Sequence, residues 1–495
     1  MIELNRSKQN KWILQKNISS SDLVETFVEA MKKQNDIINH DYMKQQLQEN
    51  DTYQGRSIEG SASTMGVRLS QICFYMFGYR KDEKFFPSPM ANLLSDENSE
   101  LTKSEVFLIC LFSLQYPHPY SRTSENFRIY FGRLIIKLLL DERLNEKLYI
   151  DECIYFLMFL ETIDESIYEE LVNSILEYRN LNFNQKERLF MSVEDYDEVF
   201  ANATHEMNYY FIRLFSEYVF DIVEDKTHNG GNLFKFKHGN PHNGNYTIRT
   251  DAFASRENSS GYIQLNNDIK EDAKILIDNF SPFELPISEA EMLSKDEWIR
   301  EIYQFNPLEY IDAISKTDDG ATYVIQIVKN MVHNSKYGSR DGKSFEESLI
   351  PIFENFRENR NVEWISGSGN TDLLCAMDKN DDEIYNVNVD AKTAKTSTSS
   401  INPVRINNHI NKCGSEYCII VSPKFSSGVK GDIKNFNIVT IEAETLADYC
   451  LKESLSSTDK MADFTSLDEI IKNNLGTDIT KRVNFLINDK FHMDG

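Results

Sequence analysis

Residues 384–392 read IYNVNVDAK, and residues 372–377 just upstream read DLLCAM. In the first stretch Tyr385, Val387, Val389 and Ala391 alternate with Asn386, Asn388, Asp390 and Lys392. A period of two is the mark of a β-strand with one apolar face, and it sets Asp390 and Lys392 side by side at the strand's end. DLLCAM is a second apolar run, opened by Asp372 directly after the glycine-rich turn SGSGN at 366–370. Paired as a hairpin, the two strands bring both carboxylates to one end.

Working outward, FEESLIPIFENF (345–356) has helical spacing and YCIIV (417–421) reads as a buried strand. The order helix, strand, strand, helix, strand predicts a small mixed α/β sheet. Pro351 interrupts the first helix, so that helix is expected to start near Ser348 or to kink.

The chemistry that this grouping offers is phosphodiester hydrolysis. Two carboxylates and a backbone carbonyl suit Mg²⁺, which prefers hard oxygen ligands and keeps waters for the reaction. Such a metal polarises phosphate and lowers the pKa of bound water. A nearby lysine orients or deprotonates that water, or stabilises the extra negative charge. Two acids and a lysine at this spacing also arise by chance, as an exposed strand end with solvated charges. The alternating strand, the placement of Asp372 after its turn and the basic stretch downstream favour the metal-dependent reading.

The formal net charge of −25 argues against a uniformly basic DNA binder, so local charge has to carry any phosphate contact. Residues 391–435 hold seven basic residues (Lys392, Lys395, Arg405, Lys412, Lys424, Lys430, Lys434) against Glu416 and Asp432. Residues 226–256 hold Lys226, Lys235, Lys237, Arg249 and Arg256 against Asp251 alone. In that second region LFKFK (233–237) and YTIRT (246–250), set among Asn-Gly and Gly-Asn turns, predict basic β-hairpins. His228, His238 and His242 are read as solvated turn residues.

The first 190 residues read as mostly helical. TKSEVFLICLFSLQY (102–116) opens with a capping box, Thr102 to Glu105, and Pro117 and Pro119 end it. Two further helical units follow at 127–140 and 151–178. The 270–335 stretch returns to helix, and the polar NSKYGSRDGKS (334–344) is the expected interdomain boundary. A 41% hydrophobic content is enough to fill real cores, which excludes general disorder. No apolar run is long enough for a bilayer span and no secretory signal is read at the N-terminus, so no membrane partner and a cytoplasmic, bacterial location are expected. The seven cysteines are scattered without metal-ligand spacing, which fits reduced thiols and argues against a zinc site.

TDLLCAM (371–377), IYNVNVDAKT (384–393) and INNHINKCGSEYCIIVSPKF (406–425) together resemble the PD-(D/E)xK nuclease core of type IIS restriction endonucleases. VDAKT (389–393) is similar to the catalytic strand of the FokI cleavage domain, and YCIIVSPKFSSGVKGDI (417–433) looks like the AlwI family, which includes related nicking enzymes. GSASTMGVRLSQICFYMFGY (60–79), ELTKSEVFLICLFSLQYPHPYS (100–121) and FGRLIIKLLLDERL (131–144) also look like that family's tandem helix-turn-helix-like modules. The resemblance implies Asp372, Asp390 and Lys392 as the catalytic set, with Ala391 giving its carbonyl to the metal. Thr371 stands where the family usually has proline. Members often add a glutamate from the preceding helix, and Glu347 is the candidate. Arg56, Ser63, Thr64, Arg68, Arg80 and Arg122, with Lys235, Lys237, Arg249 and Lys395, are the candidate DNA contacts; Thr393 and Ser397 lie beside the last.

The expected architecture is therefore multidomain: an α-rich helix-turn-helix or winged-helix recognition region and a C-terminal α/β PD-(D/E)xK domain with a mixed central sheet. The boundaries expected are 1–100, 101–190, 191–335 with the basic hairpins, and 336–495 for the nuclease. The expected function is Mg²⁺-dependent cleavage of double-stranded DNA at a fixed distance from a short asymmetric site. The expected partners are a transient second copy on DNA and a cognate DNA methyltransferase. The alternatives are a strand-specific nickase, a modification-dependent nuclease and a non-catalytic DNA-binding protein.

Overall fold

The computed structural model describes residues 1–15, 18, 20–34, 37–49, 62–96, 98–99, 101–225, 227–228, 237–239, 246–248, 261–292, 294–315, 320–339, 342–365, 367, 370–380, 383–395 and 397–492. It folds as two compact units, Met1–Ser315 and Lys316–Gly495. Among the described residues no helix is long and apolar enough to cross a membrane.

The first unit is built on helices around one continuous apolar core that runs from Ile2 to Ile314. The three separate modules expected at 1–100, 101–190 and 191–335 are instead joined through that core. Its centre is the helix Lys103–Ser113, whose capping box forms as read: Thr102 N donates to Glu105 Oε2 at 2.6 Å and Glu105 N to Thr102 Oγ1 at 3.2 Å. The helix Phe131–Leu139 crosses it at Gly132, where a Cβ would lie 1.7 Å from the Leu111 carbonyl oxygen. Only glycine permits that backbone approach. Residues 127–130, expected as helix, are extended, and Tyr116 and Ile129 bridge there. The 151–178 unit is two helices, Ile150–Tyr155 and Glu165–Arg179, split by a short turn.

Strands appear in and beside 225–268, among them a hairpin within the basic stretch. Phe220–Val223 pairs antiparallel with Tyr262–Leu265, which also pairs with Leu148–Tyr149. A short pair, Lys237–Gly239 with Tyr246–Ile248, covers part of YTIRT and the last residue of LFKFK. The rest of that basic stretch, with Lys226, Lys235, Arg249 and Arg256, lies outside the described residues.

The second unit begins earlier than the expected residue 336. Its first helix, α1 (Gly320–Tyr337), packs on α2 (Lys343–Glu354) and on α5 (Ala443–Ser456). The 334–344 stretch is thus the α1–α2 connection within this unit and not a domain boundary; polar turn residues serve both purposes equally well. Helix α2 runs through Pro351 without ending. The sheet has the order β5-β4-β3-β2-β1, from β1 (Asn359–Trp364), β2 (Leu373–Asn380), β3 (Glu383–Ala391), β4 (Ser415–Ser422) and β5 (Ile438–Glu442). Strands β1, β2 and β3 run antiparallel, while β3, β4 and β5 run parallel. The parallel β3–β4 step needs a crossover, and α3 (Pro403–Cys413) supplies it. Helix α4 (Ser427–Asp432) links β4 to β5, and α6 (Thr465–Lys472) and α7 (Thr480–His492) complete the unit.

Candidate active site

The β2–β3 hairpin sets the site. Val389 pairs with Leu373, so Asp372 at the mouth of β2 falls beside Asp390 and Ala391 at the end of β3. Asp372 Oδ2 accepts the Ala391 backbone N–H at 2.7 Å. Thr371, in the place of the usual proline, is buried, and its hydroxyl donates to the Val389 carbonyl at 3.0 Å and lies 3.2 Å from that of Leu373. A hydrogen bond thus fixes the turn that a proline ring would fix by its restricted φ. The neighbouring strand holds the other side, with Lys392 N donating to the Val421 carbonyl at 2.9 Å.

Asp390 is 5% exposed and forms an ion pair with the Lys392 ammonium, which also donates to the Ala391 carbonyl at 3.1 Å. The lysine charge therefore lies across two of the three oxygens expected to hold a cation. Burial first, and then the negative charge of Asp390, push the Asp372 carboxyl up to about 7. Lys392 loses some of its proton affinity to burial, but the two carboxylates outweigh this and raise it overall. Two adjacent half-desolvated acids facing one lysine make a donor set short of positive charge. Hard-oxygen coordination of Mg²⁺ fits that set. Among the described residues no three Asp, Glu, His or Cys side chains close on one point, so a metal here would lean on the Ala391 carbonyl and on water.

The helix acid needs correction. Glu347 is exposed on α2, whereas Glu346 is the acid whose charge reaches Asp372. Trp364 Nε1 donates to Glu346 Oε2 at 3.1 Å. Gly342, whose φ of +78° starts α2, sits so that a Cβ would be 3.9 Å from Glu346 Oε1 and 3.8 Å from Thr393 Oγ1. The first turn of α2 and the end of β3 are therefore neighbours. The signal was in the sequence: the buried face of α2 is Phe345, Ser348, Leu349, Ile352 and Phe353, and Glu346 borders it through Leu349 and Phe353. Glu347 falls on the other side.

The same reading missed His409 and Lys412 of α3. His409 is 6% exposed and within electrostatic reach of Asp390 and Lys392, and burial lowers its pKa. Lys412 Nζ donates to Asn370 Oδ1 at 2.6 Å and ties α3 to the turn before Asp372. Thr393, Lys395 and Ser397 are exposed just beyond β3.

In the first unit Arg80 is exposed on the strand Gly78–Lys81. Its guanidinium reaches the Gly66 carbonyl at 3.5 Å, and its backbone N–H donates to Tyr120 Oη at 2.9 Å. It so links the helix Ala62–Phe74, which carries half-buried Arg68, to the loop with exposed Arg122. Ser63 and Thr64 lie in that helix. Arg56, Lys235 and Arg249, and the side chains of Ser63, Thr64 and Lys237, lie outside the described residues. His228 is not a solvated turn residue. Its ring stacks on Tyr149 with centroids 3.6 Å apart, and its Nε2 lies 3.0 Å from Asp151 Oδ1.

Comparisons with known proteins reach both units. The type II restriction enzyme HgaI of Avibacterium volantium is 29% identical over 498 residues, covering 97% of each chain. Among solved structures, the BpuJ1 endonuclease binding domain in complex with pyrene- and phenanthrene-modified DNA aligns at 14% identity and a TM-score of 0.37, over 62% of this chain and all of that one. The restriction endonuclease FokI aligns at 9% identity and a TM-score of 0.26, over 95% of this chain and all of that one. The profile of the family described as "Type II restriction endonuclease HgaI, N-terminal domain" matches residues 7–280. That match takes in more than half of the sequence, and the chain belongs to the HgaI family of type II restriction endonucleases.

Proposed function

We propose that this protein is a type IIS restriction endonuclease, with a recognition region in Met1–Ser315 and a PD-(D/E)xK nuclease in Lys316–Gly495. The observation that carries the proposal is the convergence of Asp372, Asp390 and Lys392 at the end of the β2–β3 hairpin. Membership of a restriction endonuclease family supports it from the other end of the chain. Asp372, Asp390 and the Ala391 carbonyl would hold Mg²⁺, which when bound supplies Lewis acidity and a more acidic water.

The chain's own residues do the rest. Asp390 lies at the end of β3 and Lys392 directly follows that strand and is paired with it, so the ammonium accompanies the carboxylate wherever the scissile phosphate is presented. It offsets the charge that builds on the phosphate oxygens as water adds to phosphorus and a P–O bond breaks. Thr393, Lys395 and Ser397 extend the same edge outward and would meet the DNA backbone. Glu346 completes the acidic side of the site.

In the first unit Arg68, Arg80 and Arg122 are proposed to meet duplex DNA, through helix-turn-helix-like modules of the kind found in AlwI-like enzymes. A site with one lysine and one pair of acids cuts one strand, so double-strand cleavage calls for a second copy on the DNA, and a cognate methyltransferase would protect the host sequence. Without pairing, the same site would make a strand-specific nickase.

The test is cleavage of an unmethylated, sequenced plasmid with Mg²⁺, with the ends mapped. Discrete cuts at a constant offset from one asymmetric motif, lost in Asp390→Ala, are expected. Cuts in one strand only would make the enzyme a nickase. A folded protein that binds DNA but never cuts it would overturn the proposal.

A further inference from the structure

Trp364 is the last residue of β1, and it sits in an unusual place for a tryptophan. It is 41% exposed, while the other two, Trp12 and Trp298, are buried at 0% and 4%. Its position is fixed on two sides. Across the sheet it pairs with Leu373, and the next residue, Ile365, donates its N–H to the Asp372 carbonyl at 3.0 Å. The indole Nε1–H donates to Glu346 Oε2 at 3.1 Å. An exposed ring contributes little to a core, so its N–H bond to an acid is the feature that stands out.

We propose that Trp364 is a positioning residue for the divalent metal: its indole N–H holds the Glu346 carboxylate on the side of Asp372. The inference rests on the nuclease reading above and names a residue that supports its acids. Glu346 sits on a helix and Asp372 on a strand mouth, and the indole is a direct tie between the two elements, because the backbone beside it is bonded to Asp372 itself. Carboxylates close to a metal owe their orientation to partners of this kind, and loss of one lowers metal affinity by about 10- to 100-fold. Phenylalanine at 364 keeps an aromatic ring and removes the N–H donor with the pyrrole half of the indole.

Two readouts test this. The first is the Mg²⁺ concentration that gives half-maximal plasmid cleavage, for wild type, Trp364→Phe, Glu346→Gln and the double variant. Trp364→Phe is expected to raise it about tenfold, with a smaller loss of rate at saturating metal. The double variant should be no worse than Glu346→Gln, since Trp364 acts only through the carboxylate charge that Glu346→Gln has already removed. The second readout needs no cleavage: Trp364 dominates the red edge of the protein's emission because the other two indoles are buried. Mg²⁺ titrated without DNA should change that emission in wild type and leave it unchanged in Asp390→Ala.

A metal requirement for Trp364→Phe within about twofold of wild type overturns the proposal. So do fully additive losses in the double variant, and so does a red-edge emission that does not answer Mg²⁺ in an enzyme that cuts. If Trp364→Phe melts early, the emission titration of wild type against Asp390→Ala carries the test. A wild type that binds DNA but never cleaves would instead remove the nuclease reading, and the emission titration would still decide whether the Glu346–Trp364 pair senses a divalent ion.

Discussion

Each unit of the protein draws a pair of acids out of full contact with water, and the two pairs are treated in opposite ways. In the first unit Asp151 and Glu152 are both fully buried. Asp151 accepts from Tyr178 Oη at 2.8 Å and faces His228 Nε2 at 3.0 Å, with Lys186 Nζ 3.9 Å away. Glu152 is gripped by Arg179 through two bonds of 2.7 and 2.8 Å and accepts the Tyr149 N–H at 3.0 Å. In the second unit Asp372 and Asp390 lie at one strand end, with Lys392 paired to Asp390 and its charge reaching Asp372. Burial raises Glu152 as it raises Asp372, but Arg179 opposes the rise in the first case, whereas in the second the next cause after burial is another carboxylate. A buried charge met by full countercharge is a structural device, and one left short of countercharge marks a place where something else binds.

Breaking each pair should therefore have opposite consequences. Asp390→Ala is expected to lower plasmid cleavage at least about a thousandfold, with little change in melting, because the repulsion with Asp372 and the ion pair with Lys392 are lost together. Early melting of that variant would mean that the second pair is structural too. Arg179→Met leaves Glu152 buried without its partner and should cost about 3–5 kcal/mol of stability in chemical denaturation. Below its melting point the variant should still cut, since Arg179 serves the fold.

Smaller changes sharpen the same contrast. Gly132→Ala pushes a methyl group into the Leu111 carbonyl and should cost about 1–3 kcal/mol, read as an earlier unfolding midpoint. The neighbours Glu346 and Glu347 should separate by activity alone. Glu346→Gln is expected to cut about tenfold more slowly at limiting Mg²⁺, and Glu347→Gln to match wild type. A loss confined to Glu347→Gln would place the helix acid back at the exposed position.

How much was legible follows from the period of each element. The alternation in IYNVNVDAK fixed which side of β3 carries Asp390 and Lys392, and the apolar run after Asp372 indicated its hairpin partner. Thr102 and Glu105 announced a helix start because a capping box is local chemistry. Glu347 comes from the resemblance alone, whereas the apolar positions of α2 set Glu346 at the border of the buried face. His228 was read as solvated because its neighbours Asn229 and Gly230 signal a turn, and nothing nearby reveals Tyr149 and Asp151, some 80 residues earlier.

The sequence by itself determined the strand pair, the strand end that carries the acids and the lysine, the capped helices and the mixed sheet of the second unit, because these depend on periodicity and on contacts within a few residues. Only the tertiary structure decided where the first unit ends, which helix acid faces Asp372, and that Trp364 reaches Glu346. Those outcomes depend on packing between distant segments: α1 joins the second unit by its fit to α2 and α5, and the Trp364 N–H finds its acceptor only once β1 lies against α2.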